Sequence, residues 1–213
     1  MLNIKDSKIL FVGAHTDDIE IGCFGLINDL VKEERQNKIT CLSLSHYNDK
    51  EVFQENLNDI SMKLKGIIKN NDSLFFERNL IKDSLMDFLY HEYDYIFFHS
   101  SIDNHNDHKI VNSVCNEIFR PLINNDLKGL IEFNIPLNTH LNLEYFNYFY
   151  NYAKDSTERY NKKIKYLARY EKIHSEAEDR RGLQFFSINE KTNALFAAQE
   201  GYSEAYKIKF WKN

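Results

Sequence analysis

The chain has 213 residues, 43% of them hydrophobic and 28% charged, with a formal net charge of −5. A chain of this size buries roughly 70% of the surface its unfolded form exposes, so it can build its own core, and its mild negative charge creates no field that would draw in nucleic acid. No apolar stretch approaches the ~18 residues of a membrane span. Met1-Leu2-Asn3-Ile4-Lys5-Asp6 lacks the basic start and apolar region of a secretory signal, and Cys23, Cys41 and Cys115 are odd in number with no CxxC pair. The expectation is a cytoplasmic protein with buried free thiols, folded as a single domain over residues 1–213.

In chain order, Lys8 to Gly13 reads as a buried strand, and Cys23, Ile27, Leu30 and Val31 recur behind it at helical spacing. Ile39 to Ser45 is a second apolar run, followed by a helical stripe at Leu57, Ile60, Leu64 and Ile67. Ser73 to Glu77 reads as the third strand, before a stripe at Ile81, Leu85, Phe88 and Leu89. Asp94 to His99 is the fourth, before Ile110, Val111, Val114, Cys115 and Ile118, and Gly129 to Phe133 is the fifth. Strands alternating with helices imply crossover connections, hence an α/β fold: a Rossmann-like, doubly wound, mainly parallel sheet covered on both faces. In the common order 3-2-1-4-5, strands one and four are neighbours where the order reverses, which is where ligands bind in such sheets. After Pro136 the alternation stops. An aromatic segment, Leu141 to Tyr152, and a charged helix around Asn161 to Glu178 predict a C-terminal helical and aromatic extension packed on the sheet.

Two motifs fall where apolar strands give way to loops: Gly13-Ala14-His15-Thr16-Asp17-Asp18 after the first and His105-Asn106-Asp107-His108 after the fourth. Imidazole and carboxylate are ordinary zinc ligands, and a catalytic zinc keeps about three protein ligands with a further position open to water. Each motif alone is compatible with a structural or solvated role. The expected strand order brings His15, Asp17, Asp18, His105 and His108 to one crevice, so together they read as one metal site in two pieces. The same donors suit other divalent metals, iron among them.

This pair resembles the LmbE/PIG-L family of zinc-dependent de-N-acetylases, whose motifs read AHPDD and HxDH; here AHTDD stands at Ala14 to Asp18 and HNDH at His105 to His108. The resemblance extends to the spacing, to Asp103 two residues before His105, and to Tyr202-Ser203-Glu204-Ala205-Tyr206, similar to the family's terminal Ala-Glu-x-Phe element. By motif position it implies His15, Asp18 and His108 as metal ligands and Asp17 as the general base. It also implies a protonated His105 that donates to the oxyanion, with Asp107 holding its ring. The implied reaction is removal of an acetyl or other acyl group from the amide nitrogen of an N-acetylated amino sugar or sugar-containing metabolite. Zinc would lower the pKa of its water toward ~7, and the carboxylate would accept that water's proton.

Several residues depart from the family pattern. Thr16 stands where the family has proline, which loosens the preset backbone and removes no reacting group. Ser45-His46-Tyr47-Asn48-Asp49-Lys50 replaces a Thr-Gly-Glu type loop that precedes an arginine on the next helix; no arginine occurs there, leaving Lys50 or Arg78 to take its place. His99 reads as a satisfied strand-end histidine, His46 as a weaker site candidate, and Glu204 as a helix cap or internal salt bridge. Tyr145, Phe146, Tyr148, Phe149 and Tyr150 read as a buried aromatic cluster in preference to a sugar-stacking platform. Gly13, Gly22 and Gly25 do not make GxGxxG, so a dinucleotide site is excluded. Two rivals stay open: a hydrolase acting on a non-sugar amide or ester, and a sugar-binding module without catalysis, which the joint presence of Asp17 and His105 disfavours. The expected partner is a small N-acetylated sugar or conjugate, with no nucleic acid and no membrane span, and association with copies of itself stays open.

Overall fold

The computed structural model describes residues 4–46, 49–69, 77–89, 93–121, 126–136, 143–153, 157–174 and 183–212, with side chains omitted for 171–174 and 183–186. Among these residues, one sheet contains β1 (Lys8–Gly13), β2 (Lys38–Ser43), β3 (Lys65–Ile68), β4 (Tyr95–His99), β5 (Gly129–Phe133), β6 (Tyr148–Asn151) and β7 (Ser203–Trp211). Their order is β3-β2-β1-β4-β5-β7-β6. The first five strands are mutually parallel, whereas β7 runs antiparallel to both β5 and β6. The helices are α1 (Asp18–Leu30), α2 (Lys50–Ile60), α3 (Arg78–Leu89), α4 (Asn106–Ile118), α5 (Glu158–His174) and α6 (Leu183–Phe196).

β1 and β4 are apolar along most of their length because both of their faces are covered. Successive side chains of a strand point to opposite faces. Ile9 and Phe11 of β1, with Tyr95 and Phe97 of β4, therefore enter one core, which Ile19, Cys23, Leu26, Ile27 and Leu30 of α1 close. Leu10 and Val12, with Ile96 and Phe98, enter the other, closed by Ile81 and Leu85 of α3 and by Val111, Val114, Cys115 and Ile118 of α4. Each such buried side chain contributes roughly 1.5–3 kcal/mol. The Phe11 and Phe97 rings also stack across the β1–β4 pair with centroids 4.5 Å apart. The two strands that end in the motif loops are thus held together by packing as well as by ladder hydrogen bonds.

The expected order of the first five strands is the observed one, but the third strand is a different segment. The stripe Leu57, Ile60, Leu64, Ile67 is not one helix. α2 ends at Ile60, Ser61 is extended (φ −167°, ψ 132°), and its carbonyl and hydroxyl accept the N–H groups of Leu64 (3.0 Å) and Lys63 (3.2 Å). Ile67 then falls in β3, and Gly66 lets α2 lie close on that strand, since a Cβ there would sit 2.8 Å from Gln54 Oε1. The strand expected at Ser73 to Glu77 lies outside the described residues apart from Glu77, which belongs to no strand.

The C-terminal extension does more than pack on the sheet: β7 and β6 continue it. A buried ion network ties this part to α1. The fully buried Lys163 ammonium of α5 meets Glu190 of α6 and, at 3.0 Å, Glu204 of β7. Glu204 also accepts the backbone N–H groups of Gly25 (2.7 Å) and Leu26 (3.1 Å) and the Tyr206 hydroxyl (2.9 Å). An internal salt bridge is therefore the role of Glu204 in the fold. Cys23, Cys41 and Cys115 are free and buried. No helix among the described residues is long and apolar enough to cross a membrane.

Candidate metal centre

Both motif loops leave the carboxyl ends of adjacent strands. A Cβ on Gly13 would lie 3.0 Å from the His15 carbonyl and 3.2 Å from Asp18 Cβ, so glycine allows the first loop to turn tightly over its own strand end. Asp17 occupies the N-cap of α1, and Asp18 opens the helix, where the macrodipole favours negative charge. Asp18 Oδ2 accepts the His15 N–H at 2.7 Å, closing the loop. The Ser45 N–H and hydroxyl both donate to the Ala14 carbonyl, at 2.9 and 3.0 Å, which stitches the end of β2 to the same loop. On the second loop His105 is the N-cap of α4. Asp103, fully buried, uses one oxygen to accept the His105 N–H (2.8 Å) and the other to pair with His108 Nδ1 (2.8 Å).

These turns bring three donors of different elements together. His15 Nδ1 lies 3.5 Å from Asp18 Oδ2, His108 Nε2 lies 3.3 Å from Asp18 Oδ1, and the two imidazole nitrogens are 3.4 Å apart. Ligands about 2.0–2.1 Å from a shared tetrahedral cation stand roughly 3.3–3.4 Å from one another; the two imidazole nitrogens have that spacing, and one ligand atom from each of the three residues lies within 4.8 Å of the others, Asp18 turning Oδ2 toward His15 and Oδ1 toward His108. Each histidine also has a carboxylate on its other ring nitrogen, Asp103 for His108 and Asp107 (3.2 Å) for His15. This carboxylate–histidine pairing fixes ring orientation around metals. His15, Asp18 and His108 fit a divalent cation.

The electrostatics favour positive charge at the same point. Burial opposes a charged His15, yet its hydrogen bonds with Asp107 and Asp18 outweigh that and raise its pKa from 6.5 to about 10. His108 is likewise raised to about 9, against burial, by Asp18 and Asp103. Burial would push Asp18 up, but the charge of His108 and the hydrogen bonds with His108 and His15 hold it well below the usual carboxylate range. A metal ion and protons compete for such a site.

Asp17 is half-buried beside this cluster, close enough for its charge to act on His15. His105 stands at the rim with 43% of its side chain exposed, its ring centroid 5.1 Å from that of His15 and 4.6 Å from that of His108. Two expectations change. Asp107 Oδ2 is 3.9 Å from His105 Nδ1 and nearer, at 3.2 Å, to His15 Nε2, so its shorter contact is to the metal-site histidine. Burial, and the charges of His108 and His15, lower the His105 pKa, a direction opposite to the protonated form that the resemblance implies.

Sequence reasoning underrated His99. It is fully buried, its ring stacks on His108 with centroids 3.8 Å apart, and its Nε2 is 2.9 Å from the Ala14 N–H and 3.1 Å from Asp18 Oδ2. Burial, then the His108 charge, lowers it to about 4, which keeps it neutral. Among the described residues its buried Nδ1 has no hydrogen-bond partner. Its position at the end of β4, in line with the motif loop, was the available signal. The buried Thr16 presents its carbonyl to the Tyr170 hydroxyl (3.1 Å), which also reaches Glu20 (2.8 Å). Of the two proposed stand-ins for the family arginine, Arg78 is bound to Ser113 (2.7 Å) and Glu117 of α4, and Lys50 is exposed at the start of α2. His46 is half-buried after β2. In the aromatic segment Phe146 and Tyr150 are buried, and Tyr145, Tyr148 and Phe149 are partly so.

The fold is shared with known enzymes. N,N′-diacetylchitobiose deacetylase from Pyrococcus horikoshii is similar with a TM-score of 0.67 at 16% identity, over 95% of this chain and 84% of that one. The zinc-inhibited form of a teicoplanin deacetylase gives 0.67 at 9% identity, over 95% and 97%. The 4-carboxy-2-hydroxymuconate hydratase from Pseudomonas putida KT2440 gives 0.66 at 13% identity, over 97% and 98%. No curated protein sequence matches the chain. The profile of the PIG-L family, described as GlcNAc-PI de-N-acetylase, matches residues 10–119, a segment that contains both motifs. The chain belongs to the PIG-L family of de-N-acetylases.

Proposed function

We propose that this protein is a zinc-dependent deacetylase that removes the acetyl group from the amide nitrogen of an N-acetylated amino sugar or sugar conjugate. The observation that carries the proposal is the cluster of His15, Asp18 and His108, one ligand atom of each within 4.8 Å of the others, with its flanking carboxylates Asp103 and Asp107. A divalent metal, when bound there, supplies a Lewis acid that acidifies water and polarises an amide carbonyl.

The chain's own residues do the rest. Asp17, the N-cap residue of α1 immediately before the ligand Asp18 and half-buried beside the site, takes the proton of the water that attacks the acetyl carbon. It returns that proton to the amine nitrogen as the C–N bond breaks, leaving acetate and a free amine. His105, at the rim and neutral, donates its ring N–H to the oxygen that becomes negative in the tetrahedral intermediate, and losing such a donor slows turnover by ~10²- to 10³-fold. Asp107 holds the His15 ring. Because the motif loops and the C-terminal strands share one sheet, we take residues 1–213 to act as one catalytic domain. The name of the diacetylchitobiose deacetylase that shares the fold supports a sugar substrate. A hydratase on the same fold favours a second reading, water addition to a small unsaturated acid at the same centre.

The test is a screen of zinc- and iron-loaded protein against N-acetylglucosamine, N,N′-diacetylchitobiose, N-acetylated amino acids, acetate esters and 4-carboxy-2-hydroxymuconate, with acetate and hydration product both measured. Acetate from the sugars supports the proposal. Turnover confined to the other amides, to the esters or to the muconate overturns it, as does sugar binding with no acetate released.

A further inference from the structure

Glu132 breaks the pattern of its strand. It lies two residues from Leu130 on β5, on the sheet face that α4 covers, and pairs in register with Phe98 of the same core. A hydrophobe would complete that core, yet a carboxylate sits there with no exposed surface. Four donors from four parts of the chain converge on it. Oε2 accepts the Ser101 N–H (3.1 Å) and the Tyr145 hydroxyl, while Oε1 accepts from Asn112 Nδ2 (2.9 Å) and the Lys209 ammonium (3.1 Å). Burying a carboxylate is costly, and the cationic partner, Lys209, is itself exposed, so stability alone does not explain a charge at this position.

Two of the donors lie on either side of the second motif. Ser101 begins the loop, two residues before Asp103, and its hydroxyl is also 2.7 Å from that of Tyr145. Asn112 is one helical turn beyond His108 and on the same face of α4, and its amide also donates to the His99 carbonyl at 2.7 Å. Fixing Asn112 at two points sets the rotation of α4 about its axis, and fixing Ser101 sets the height of the loop. Those two quantities determine where Asp103 and His108 arrive relative to Asp18 and His15. Tyr145 and Lys209 belong to the C-terminal extension, so the extension is coupled to the metal centre through one carboxylate.

We infer that Glu132 is a positioning residue of the metal centre, holding the His108 side of the site in register with the His15 and Asp18 side. The inference rests on the assignment of His15, Asp18 and His108 as a cation site. Its test is zinc affinity, measured by competition with a chromogenic chelator, together with the absorption spectrum of the cobalt(II)-substituted protein. Glu132→Gln keeps the volume but turns an amide NH₂ toward one pair of donors, and Asn112→Leu removes the helix-side contact while leaving Glu132 in place. Neither side chain touches a ligand directly, so each is expected to weaken zinc binding by up to ~10-fold, the low end of the effect of losing a direct outer partner of a metal ligand, and to alter the cobalt spectrum, with the thermal transition retained. The double variant is expected to cost less than the sum of the two, because both act through one contact. Wild-type affinity and spectrum in both folded single variants would overturn the inference. A wild-type protein that binds no metal would instead overturn the assignment of the site.

Discussion

His108 Nε2 stands 3.3 Å from Asp18 Oδ1, so the first turn of α4 and the first turn of α1 meet at one point beyond the ends of β4 and β1. A cation held there needs both sides. His15→Ala and His108→Ala are each expected to reduce bound zinc from about one equivalent to near none, as read by metal analysis after gel filtration. Near-stoichiometric zinc in either variant would remove that histidine from the ligand set.

The protonation of the same histidines gives a pH signature. In the folded, metal-free protein His15 is raised from 6.5 to about 10 and His108 to about 9, so the native state binds more protons than the unfolded state above pH 6.5. Their contribution to stability is therefore complete below pH 6.5 and is lost as the pH rises through about 9 and 10. Zinc requires the neutral imidazoles, so its stabilising effect has the opposite slope. Thermal melts between pH 6.5 and 10 should show the metal-free transition falling while the gain on adding zinc grows. Parallel curves with and without zinc would contradict this linkage.

Asp103 holds the ring of His108 and caps the start of α4 with the same carboxylate. Asp103→Asn keeps the shape but weakens both contacts, and zinc affinity is expected to fall ~10- to 100-fold. Calorimetric titration of the two proteins at one pH measures this, and equal dissociation constants would leave Asp103 with a capping role alone.

The buried network of Lys163, Glu190 and Glu204 belongs to the fold and not to the chemistry. Lys163→Met leaves two buried carboxylates without their cation, a loss of about 3–5 kcal/mol. Urea unfolding should show the drop, while kcat/KM of the folded fraction stays at the wild-type value. A change in kcat/KM without a change in unfolding midpoint would reverse the assignment.

The sequence revealed most where local pattern and fold agree. β1 and β4 were legible because strands covered on both faces must be apolar along their length, and the convergence of His15, Asp18 and His108 was legible because all three follow those strands. The third strand was missed because Leu64 and Ile67 continue a helical spacing by coincidence; Gly66, poor in a helix by about 1 kcal/mol, was the contrary signal. β7 carried a signal too, the alternation of Tyr206 and Ile208 with Lys207 and Lys209. The contact of Asp107 with His15 and the four donors that converge on Glu132 were not readable in advance. Each depends on which side chain a distant element brings within about 3 Å, and residue spacing along the chain does not encode that.

The most direct measurement is acetate release per bound zinc from the sugar substrate found in the screen, compared between the wild-type protein and Asp17→Ala. The proposed mechanism predicts equal zinc content with turnover lowered by ~10²- to 10⁴-fold in the variant, the range expected for loss of a general base. Asp17→Ala turning over at the wild-type rate with zinc bound would contradict it.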